Sequence, residues 1–569
     1  MADSPKFEAR PSVAVDGRGR AWVAYEERDA EWGKDAENLV EGQGSTLYRG
    51  SAVKVRVVDG PRRLDPPDPL ARATPQNRLY NSFPRIAADR SGRVWLAYRH
   101  RMQPQNNGTG GVWHTQVVST TGRAWSAPQP LPRSDGMLDN RPSLVTPSSG
   151  PAFIVYSGDG RLQRDGDAVE NGLNVAALTV SNNDAGEPAL AEAPATGPAP
   201  TPRSHPNEAA DVARMRAHRI EAGGKTYRLM RGEFHRHTEI SGDGGNDGAL
   251  EDMWRYAIDA GMLDWVGCGD HDNGNGKEYT WWVTQKTTDL YHSPGKFIPM
   301  FTYERSVQYP HGHRNVMWDR RGIRTLPRLQ AGEGPAVANG ISLDDTKMLY
   351  DYLNELGGIT ASHTSGTTGM GTDWRDNDPR AEPFVEIFQG HRNSYEHLGA
   401  PRVGRTNAEA IAGMQPYGMI WNALGLQYRL GFQASSDHIS THISFGVALA
   451  EDASRSAILD AFRRRHCYAA TDNILLDVRS GDHLMGDEFT QAGPVTLKVL
   501  AHGTRKIARV DVIKDFVYVY TTQPDRERVE FTWTDQETRR PPVSWYYVRV
   551  IQDDGELAWA SPMWVRRGP

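Results

Sequence analysis

From Arg228 onward, short apolar runs alternate with stretches of helical periodicity, and most of the runs end in polar or ionisable residues. The runs are LDWVGCGD, KFIPMFTYE, GGITASH, PFVEIFQG and YRLGFQASSDH. Among the helical stretches, ALEDMWRYAIDAGM groups Met253, Trp254, Ala257 and Ile258, with Gly261 as its stop. SLDDTKMLYDYLNELGG offers Ser342 as N-cap and Gly357 as stop. SRSAILDAFRRRH offers Ser454 as N-cap and ends in basic residues that suit the negative end of the helix dipole. Strand followed by helix, with reactive side chains at the strand's C-terminal end, is how a (β/α) barrel assembles a site. The pattern predicts such a barrel over residues 228–475 and places the chemistry at its mouth.

Histidines fall where that reading needs them. RGEFHRHTEISGDGG, residues 231–245, carries His235 and His237 at positions i and i+2 of a strand. Such side chains share a face roughly 7 Å apart, and both can reach one cation at about 2.1 Å per bond. An isolated His-x-His is more often a pair of surface histidines, so the series that follows matters. GDHD supplies Asp270, His271 and Asp272; FTYER supplies Glu304; HGHRN supplies His311 and His313; ASHTSG supplies His363; SSDHISTH supplies Asp437, His438 and His442. A nitrogen and carboxylate set without thiolates suits two or three divalent ions such as Zn, Mn or Fe, bridged by Asp or Glu. The only two cysteines, Cys268 and Cys467, read as small buried residues, and they support neither a disulfide framework nor a thiolate zinc site.

In this order, HxHT…DG, GDHD, a strand ending in Glu, SH and SDH, the chain resembles the polymerase and histidinol phosphatase (PHP) superfamily of metal-dependent phosphoesterases. It is most similar to a large, poorly characterised bacterial branch with FHRHTEIS, HGHRNV, SSDHISTHISF and RRRHCYAATD motifs. The resemblance covers about residues 228–475. It implies a distorted seven-stranded (β/α) barrel, TIM-like, with a di- or trinuclear site. It makes His235 and His237 the first-strand ligands, His271 the histidine of the second motif, Glu304 the bridging carboxylate, His363 the later single ligand and Asp437 the terminal aspartate. The superfamily usually ends in Asp-x-His, whereas here Asp437 and His438 are adjacent and His442 lies four residues on, so either histidine can complete the site. His311 and His313 compete for one position, and His313 is favoured because Asn315 and Val316 continue the strand. The first motif is stretched to SGDGG, which leaves the role of Asp243 open.

Water held between two cations becomes a hydroxide nucleophile near neutral pH, and in-line attack on a phosphate ester is the reaction most consistent with the set. Arg236 and Arg392 are candidates for holding the substrate anion, and His442 for general acid. Arg236 points opposite to its histidine neighbours and serves equally in a structural ion pair. Glu386 and His391 are candidates for orienting ligands.

The flanks read differently. PSVAVDGRGRAWVAY, PRIAADRSGRVWLAY and PSLVTPSSGPAFIVY, starting at Pro11, Pro84 and Pro142, each pair two alternating strands around a glycine turn. Repetition predicts a propeller-like β region over 1–185 that weakly resembles sialidase-like propellers and serves as scaffold or ligand-presenting module. Residues 186–227 are rich in Ala and Pro and read as a linker. Alternating strands over 476–569 predict a β-sandwich whose Trp533, Trp545, Trp559 and Trp564 fill the core rather than stack on sugars.

The chain of 569 residues thus reads as multidomain. Its 65 basic and 71 acidic residues are interspersed, which argues against a nucleic-acid partner. No run approaches the roughly 20 apolar residues of a membrane span. The opening MADSPKFEARPS lacks a signal-peptide core, so the expectation is a soluble chain, cytoplasmic or, after processing, periplasmic or secreted. The expected partner is a small-molecule or glycan-linked anionic substrate; oligomeric state has no signature. Phosphoester hydrolysis leads, ahead of metal-dependent cleavage of a carbonyl or carbohydrate-linked ester or amide, and of a non-catalytic glycan- or protein-binding role with structural metals.

Overall fold

Each of the three aligned repeats folds as an antiparallel hairpin. The computed structural model describes residues 4, 6–34, 44–47, 50–73, 80–103, 110–121, 123–162, 171–179, 188–195, 205–244, 247–328, 337–338, 341–342, 345–390, 393–438, 444–537 and 541–568. In it Phe7–Val15 pairs with Ala21–Arg28, Asn81–Ala88 with Val94–Gln103, and Ser143–Val145 with Ala152–Gly158. The first two turns are closed identically. Asp16 Oδ1 accepts from the amides of Arg18 and Arg20, and its Oδ2 from Trp22 Nε1 at 2.9 Å. Asp89 does the same with Ser91, Arg93 and Trp95. Gly19 and Gly92 take the left-handed backbone that lets the chain wrap round the carboxylate, at φ 81° and 84°. The third repeat has Pro147 in place of the aspartate and lacks this closure.

The three hairpins grow into separate sheets that share cores in series. Trp22, Val53, Val55 and Val57 of the first sheet bury against Ile86, Leu96 and Val118 of the second. Trp95, Ala97 and Val117 of the second bury against Ile154 and Tyr156 of the third. They are sheets in succession, not a closed propeller, among the described residues. Residues 238–260 join this unit, which otherwise comprises 1–36 and 42–204. Buried ion pairs explain the attachment: Arg28 Nη2 lies 2.7 Å from Asp252, and Arg141 Nη2 lies 2.6 Å from Glu251. The helical stretch predicted around Met253 is therefore here, as an α-helix over Leu250–Arg255 followed by a π-turn over Tyr256–Ala260.

The second unit comprises, among the described residues, 205–237 and those from 261 onward. Part of the stretch read as a linker is regular: Glu208–Ala217 is helical and Arg219–Ala222 pairs with the strand that follows. The strands that frame the histidines are β1 (Lys225–Arg236), β2 (Trp265–Cys268), β3 (Ile298–Ser306), β4 (His313–Trp318), β5 (Ile359–Ser362), β6 (Phe384–Gln389) and β7 (Gly431–Ser435). Pairing is parallel for β1–β2–β3 and for β5–β6–β7, while β4 runs antiparallel to both β3 and β5. The ladder does not close as a regular barrel; the end of β1 meets the residues just after β7 at an isolated bridge, Arg236 to Asp437. The helix Arg455–Arg463, capped by Ser454 Oγ accepting from the Ala457 amide, buries Ile458, Leu459 and Phe462 against Phe234, Trp265 and Phe384.

The C-terminal strands are not set apart. Cys467–Ala470 pairs with Leu557–Ala560, so one hydrogen-bonded sheet system runs from Arg219 to Arg567. Trp545, Trp559 and Trp564 are buried in a core shared with Ile387, Tyr395 and Phe432. At this level the chain is multidomain and mostly β, with large sheets.

One buried carboxyl in this unit makes stability depend on pH. Burial lifts Asp472 to about 6 from 3.8, against the opposing pull of His205 and of the hydrogen bonds from Thr504 and the Asn473 amide. The folded state binds this proton more tightly than the unfolded chain. The stabilisation is therefore complete below pH 3.8 and is lost as pH rises through 6. Asp472→Asn removes that loss, worth about 3 kcal/mol. Urea titrations at pH 4 and pH 8 are expected to show the variant gaining on the wild type only at the higher pH.

Candidate metal centre

Parallel strands present their C-terminal ends on one edge, and β4, running the other way, presents its start there. That edge gathers His235 and His237 from the end of β1, His271 after β2, Glu304 near the end of β3, His313 at the start of β4, His363 after β5, and Asp437 and His438 after β7. The ladder register leaves little room between β1 and β2. A Cβ on Gly269, the glycine of GDHD, would stand 3.0 Å from His235 Cα and 3.2 Å from the Arg236 amide nitrogen. Gly390, after β6, faces the same constraint, since a Cβ there would stand 1.9 Å from the Ser436 carbonyl.

Glu304 stands between two sets of imidazoles. Its Oε2 lies 3.2 Å from both His235 Nε2 and His237 Nε2, and 3.5 Å from His363 Nε2. Its Oε1 lies 2.9 Å from His271 Nδ1 and 2.6 Å from His313 Nδ1. Asp437 Oδ1 approaches His235 Nε2 at 3.1 Å and His237 Nε2 at 2.9 Å, with His438 Nε2 at 3.8 Å. The His438 ring stacks on His237 with centroids 3.7 Å apart. Donor atoms of His235, His237 and Asp437 lie within 4.8 Å of one another, as do those of His271, Glu304 and His313, and those of His235, His363 and Glu386. His235, His237 and Glu304 are fully buried, whereas His271 and His438 are partly exposed and mark the open side.

The charges follow from this crowding. Burial opposes ionisation of Glu304, yet His271, His363 and His313 hold its carboxyl well below the usual range. Burial likewise opposes the Asp437 carboxylate, and His235 and His438 outweigh it. Burial disfavours the His235 imidazolium, but Glu386 and Asp437 push its pKa well above ordinary. Burial and the neighbouring His235 lower His363 to about 4, leaving a neutral ring with a lone pair to offer. Two ionised carboxylates and at least one neutral imidazole, buried together, are a donor set for a divalent cation.

Around them stands a second layer of contacts. Glu386 accepts from His235 Nδ1 at 2.9 Å and from Gln433 Nε2 at 2.9 Å, and Ser435 Oγ also donates to it. Gln389 Nε2 donates to Asp437 Oδ2 at 2.5 Å, and Ser306 Oγ sits 2.7 Å from His271 Nδ1. Glu386→Gln keeps the shape but weakens the grip on His235. It is expected to lower divalent-metal affinity about 10–100-fold, read by competition with a chromogenic chelator.

Several residues singled out in the sequence lie elsewhere. His311 turns away, its Nδ1 2.7 Å from Thr346 Oγ1. Arg236 is fully buried and donates from Nη1 to the Asp437 carbonyl at 2.9 Å, on the face of β1 opposite to the histidines. Asp270 accepts from Cys268 Sγ at 2.9 Å, and Asp272 pairs with Arg328. His391, Arg392 and His442 lie outside the described residues. Gln433 and Ser435 have no sequence signal beyond their two-residue spacing from one another and from Asp437, and Gln389, three residues after Glu386 across a register shift, has none.

The fold and site define a mostly β, multidomain protein with a buried cluster of His, Asp and Glu fit to bind metal. No known family profile matches the chain. It is 25% identical over 278 residues to an uncharacterised protein of Chlamydia trachomatis serovar D, covering 43% of this chain and 44% of that protein. It is 22% identical over 350 residues to an uncharacterised protein of Chlamydia pneumoniae, covering 56% and 54%. The chain thus spans about half the length of these curated relatives. Among solved structures it is similar to a two-domain protein from Bacteroides vulgatus containing a predicted PHP-like metal-dependent phosphoesterase. That likeness has 13% identity and a TM-score of 0.30, over 60% of this chain and 97% of the other. No helix among the described residues is long and apolar enough to cross a membrane.

Proposed function

We propose that this protein is a metal-dependent hydrolase, of the phosphoesterase type, whose site lies at the mouth of a distorted seven-stranded barrel formed by β1 to β7. The observation that carries the reading is the placement of Glu304, with one oxygen facing His235, His237 and His363 and the other facing His271 and His313. That arrangement suits a carboxylate shared between two cations. His235, His237, Asp437 and His363 would hold one, His271 and His313 the other, and His438 stands at the open side for a third or for substrate.

Two or three divalent ions such as Zn, Mn or Fe would supply Lewis acidity and an acidified water for attack on the ester. The chain's own residues fix the geometry. Glu386 holds the His235 ring through Nδ1, so that Nε2 faces the site. Gln389 ties down one oxygen of Asp437 and leaves the other toward His235 and His237. Arg236 anchors the Asp437 backbone, which makes it a positioning residue rather than an anion clamp. Partly exposed His271 and His438 face the side from which an anionic substrate would enter.

Metal analysis of the purified chain, with a panel of phosphomonoesters, phosphodiesters and carboxylesters, tests this. The expected result is bound divalent metal and phosphoester turnover that vanishes in His235→Ala. Cleavage of carboxylesters with phosphoesters inert would move the assignment to carbonyl chemistry; metal without turnover would leave a binding protein.

A further inference from the structure

Outside the ligand set, one buried side chain on the segment after β6 has an unused polar group. Tyr395 is 2% exposed, and among the described residues no group accepts a hydrogen bond from its hydroxyl. Other buried tyrosines of this unit have acceptors: Tyr468 donates to the Ile474 carbonyl, Tyr546 to Asp535 and Tyr547 to Glu396. A buried hydroxyl left without a partner destabilises the fold, and a bound ligand is one partner that can satisfy it.

Its position is set by two elements that carry the metal cluster. The Tyr395 amide donates to the Ile387 carbonyl on β6, between Glu386 and Gln389. The ring lies against the loop that follows His363, since a Cβ on Gly366 would stand 3.2 Å from Tyr395 Cδ1. On β6 and on the loop after His363, Glu386 Oε1, Gln389 Oε1 and the fully buried Ser365 Oγ also lack hydrogen-bond partners among the described residues. Besides burial, the charges that act on the phenol are those of Glu386 and Asp437, and together these keep it protonated. The hydroxyl is thus a neutral donor on a segment fixed between β6 and the loop after His363.

We propose that the Tyr395 hydroxyl is a catalytic hydrogen-bond donor to the substrate oxygen that gains negative charge during hydrolysis. It would act as a preorganised neutral donor acts in an oxyanion site. The ligand class is an oxyanion, either the phosphoryl group of an ester or the phosphate it yields. This rests on the hydrolase reading above, but it makes a separate claim about one atom.

Tyr395→Phe in the full chain, loaded with Mn or Zn, tests it by three measurements: thermal midpoint, affinity for inorganic phosphate by calorimetry, and kcat and KM on whichever ester is turned over. Phe keeps the ring packing and deletes only the unpartnered hydroxyl. The midpoint is expected to hold or rise, metal content to stay unchanged, phosphate binding to weaken about tenfold, and kcat to fall on the order of a hundredfold with a smaller change in KM. A lower midpoint with unchanged phosphate affinity would overturn the proposal, because the hydroxyl would then be structural. Unchanged values throughout would overturn it as well. If wild type turns over no ester but Tyr395→Phe still weakens phosphate binding, the donor stands and the hydrolase assignment falls. If wild type neither hydrolyses esters nor binds phosphate, both fall.

Discussion

Glu304→Ala is expected to strip the protein of its divalent metal and to lower ester hydrolysis by at least about a thousandfold. Five imidazoles surround this one carboxylate, three on Oε2 and two on Oε1. Removing it takes a ligand from both halves of the cluster at once, which no histidine substitution does. Polarisation by metal is worth several kcal/mol in the transition state, and each 1.36 kcal/mol is a factor of about ten. Alanine also leaves the histidines without the negative charge that burial otherwise disfavours. Mass-spectrometric metal stoichiometry and kcat/KM, measured beside Glu304→Gln, check this. A variant retaining full metal content would refute the shared-carboxylate arrangement, and Gln is expected to fall between wild type and Ala.

Glu396→Ala is expected to carry the largest stability cost, about 3–5 kcal/mol. The residue is fully buried. Its Oε1 accepts from Tyr547 Oη at 2.5 Å, and its Oε2 from Arg549 Nη1 at 2.8 Å and Trp559 Nε1 at 2.9 Å. Alanine leaves an indole N–H without its acceptor and takes one of two carboxylates from a buried guanidinium, Asp511 being the other at 2.9 Å. Because Glu396 follows Tyr395, it also clamps that loop to the C-terminal strands. Urea unfolding followed by tryptophan fluorescence reads the loss. A wild-type midpoint would show that these donors find other acceptors.

Between these two sites lies the boundary of what could be read in advance. The repeats were legible because alternation about a glycine turn is local, and each motif folds as the hairpin it spells. Ser454 caps its helix because capping involves neighbours three residues away. Local rules do not say what a helix packs on: the stretch around Met253 belongs with the first unit because Glu251 and Asp252 meet Arg10, Arg28 and Arg141, more than a hundred residues distant. The same limit applies to the C-terminal strands. Their alternation is plain, but the ladder from Cys467–Ala470 to Leu557–Ala560 is a long-range pairing with no local mark.

In the site, the residue types and their order come from the sequence, since a metal needs imidazoles and carboxylates and parallel strands present them at one end. Which of two neighbours faces inward, His313 rather than His311, and what Arg236 does were decided by the fold. A strand sends alternate side chains to opposite faces, and only the contact of β1 with the end of β7 determines that Arg236 meets the Asp437 carbonyl. Tyr395 has no motif at all. What singles it out is a hydroxyl buried without an acceptor among the described residues, and a missing hydrogen bond is a property of three-dimensional surroundings that no spacing of residues encodes.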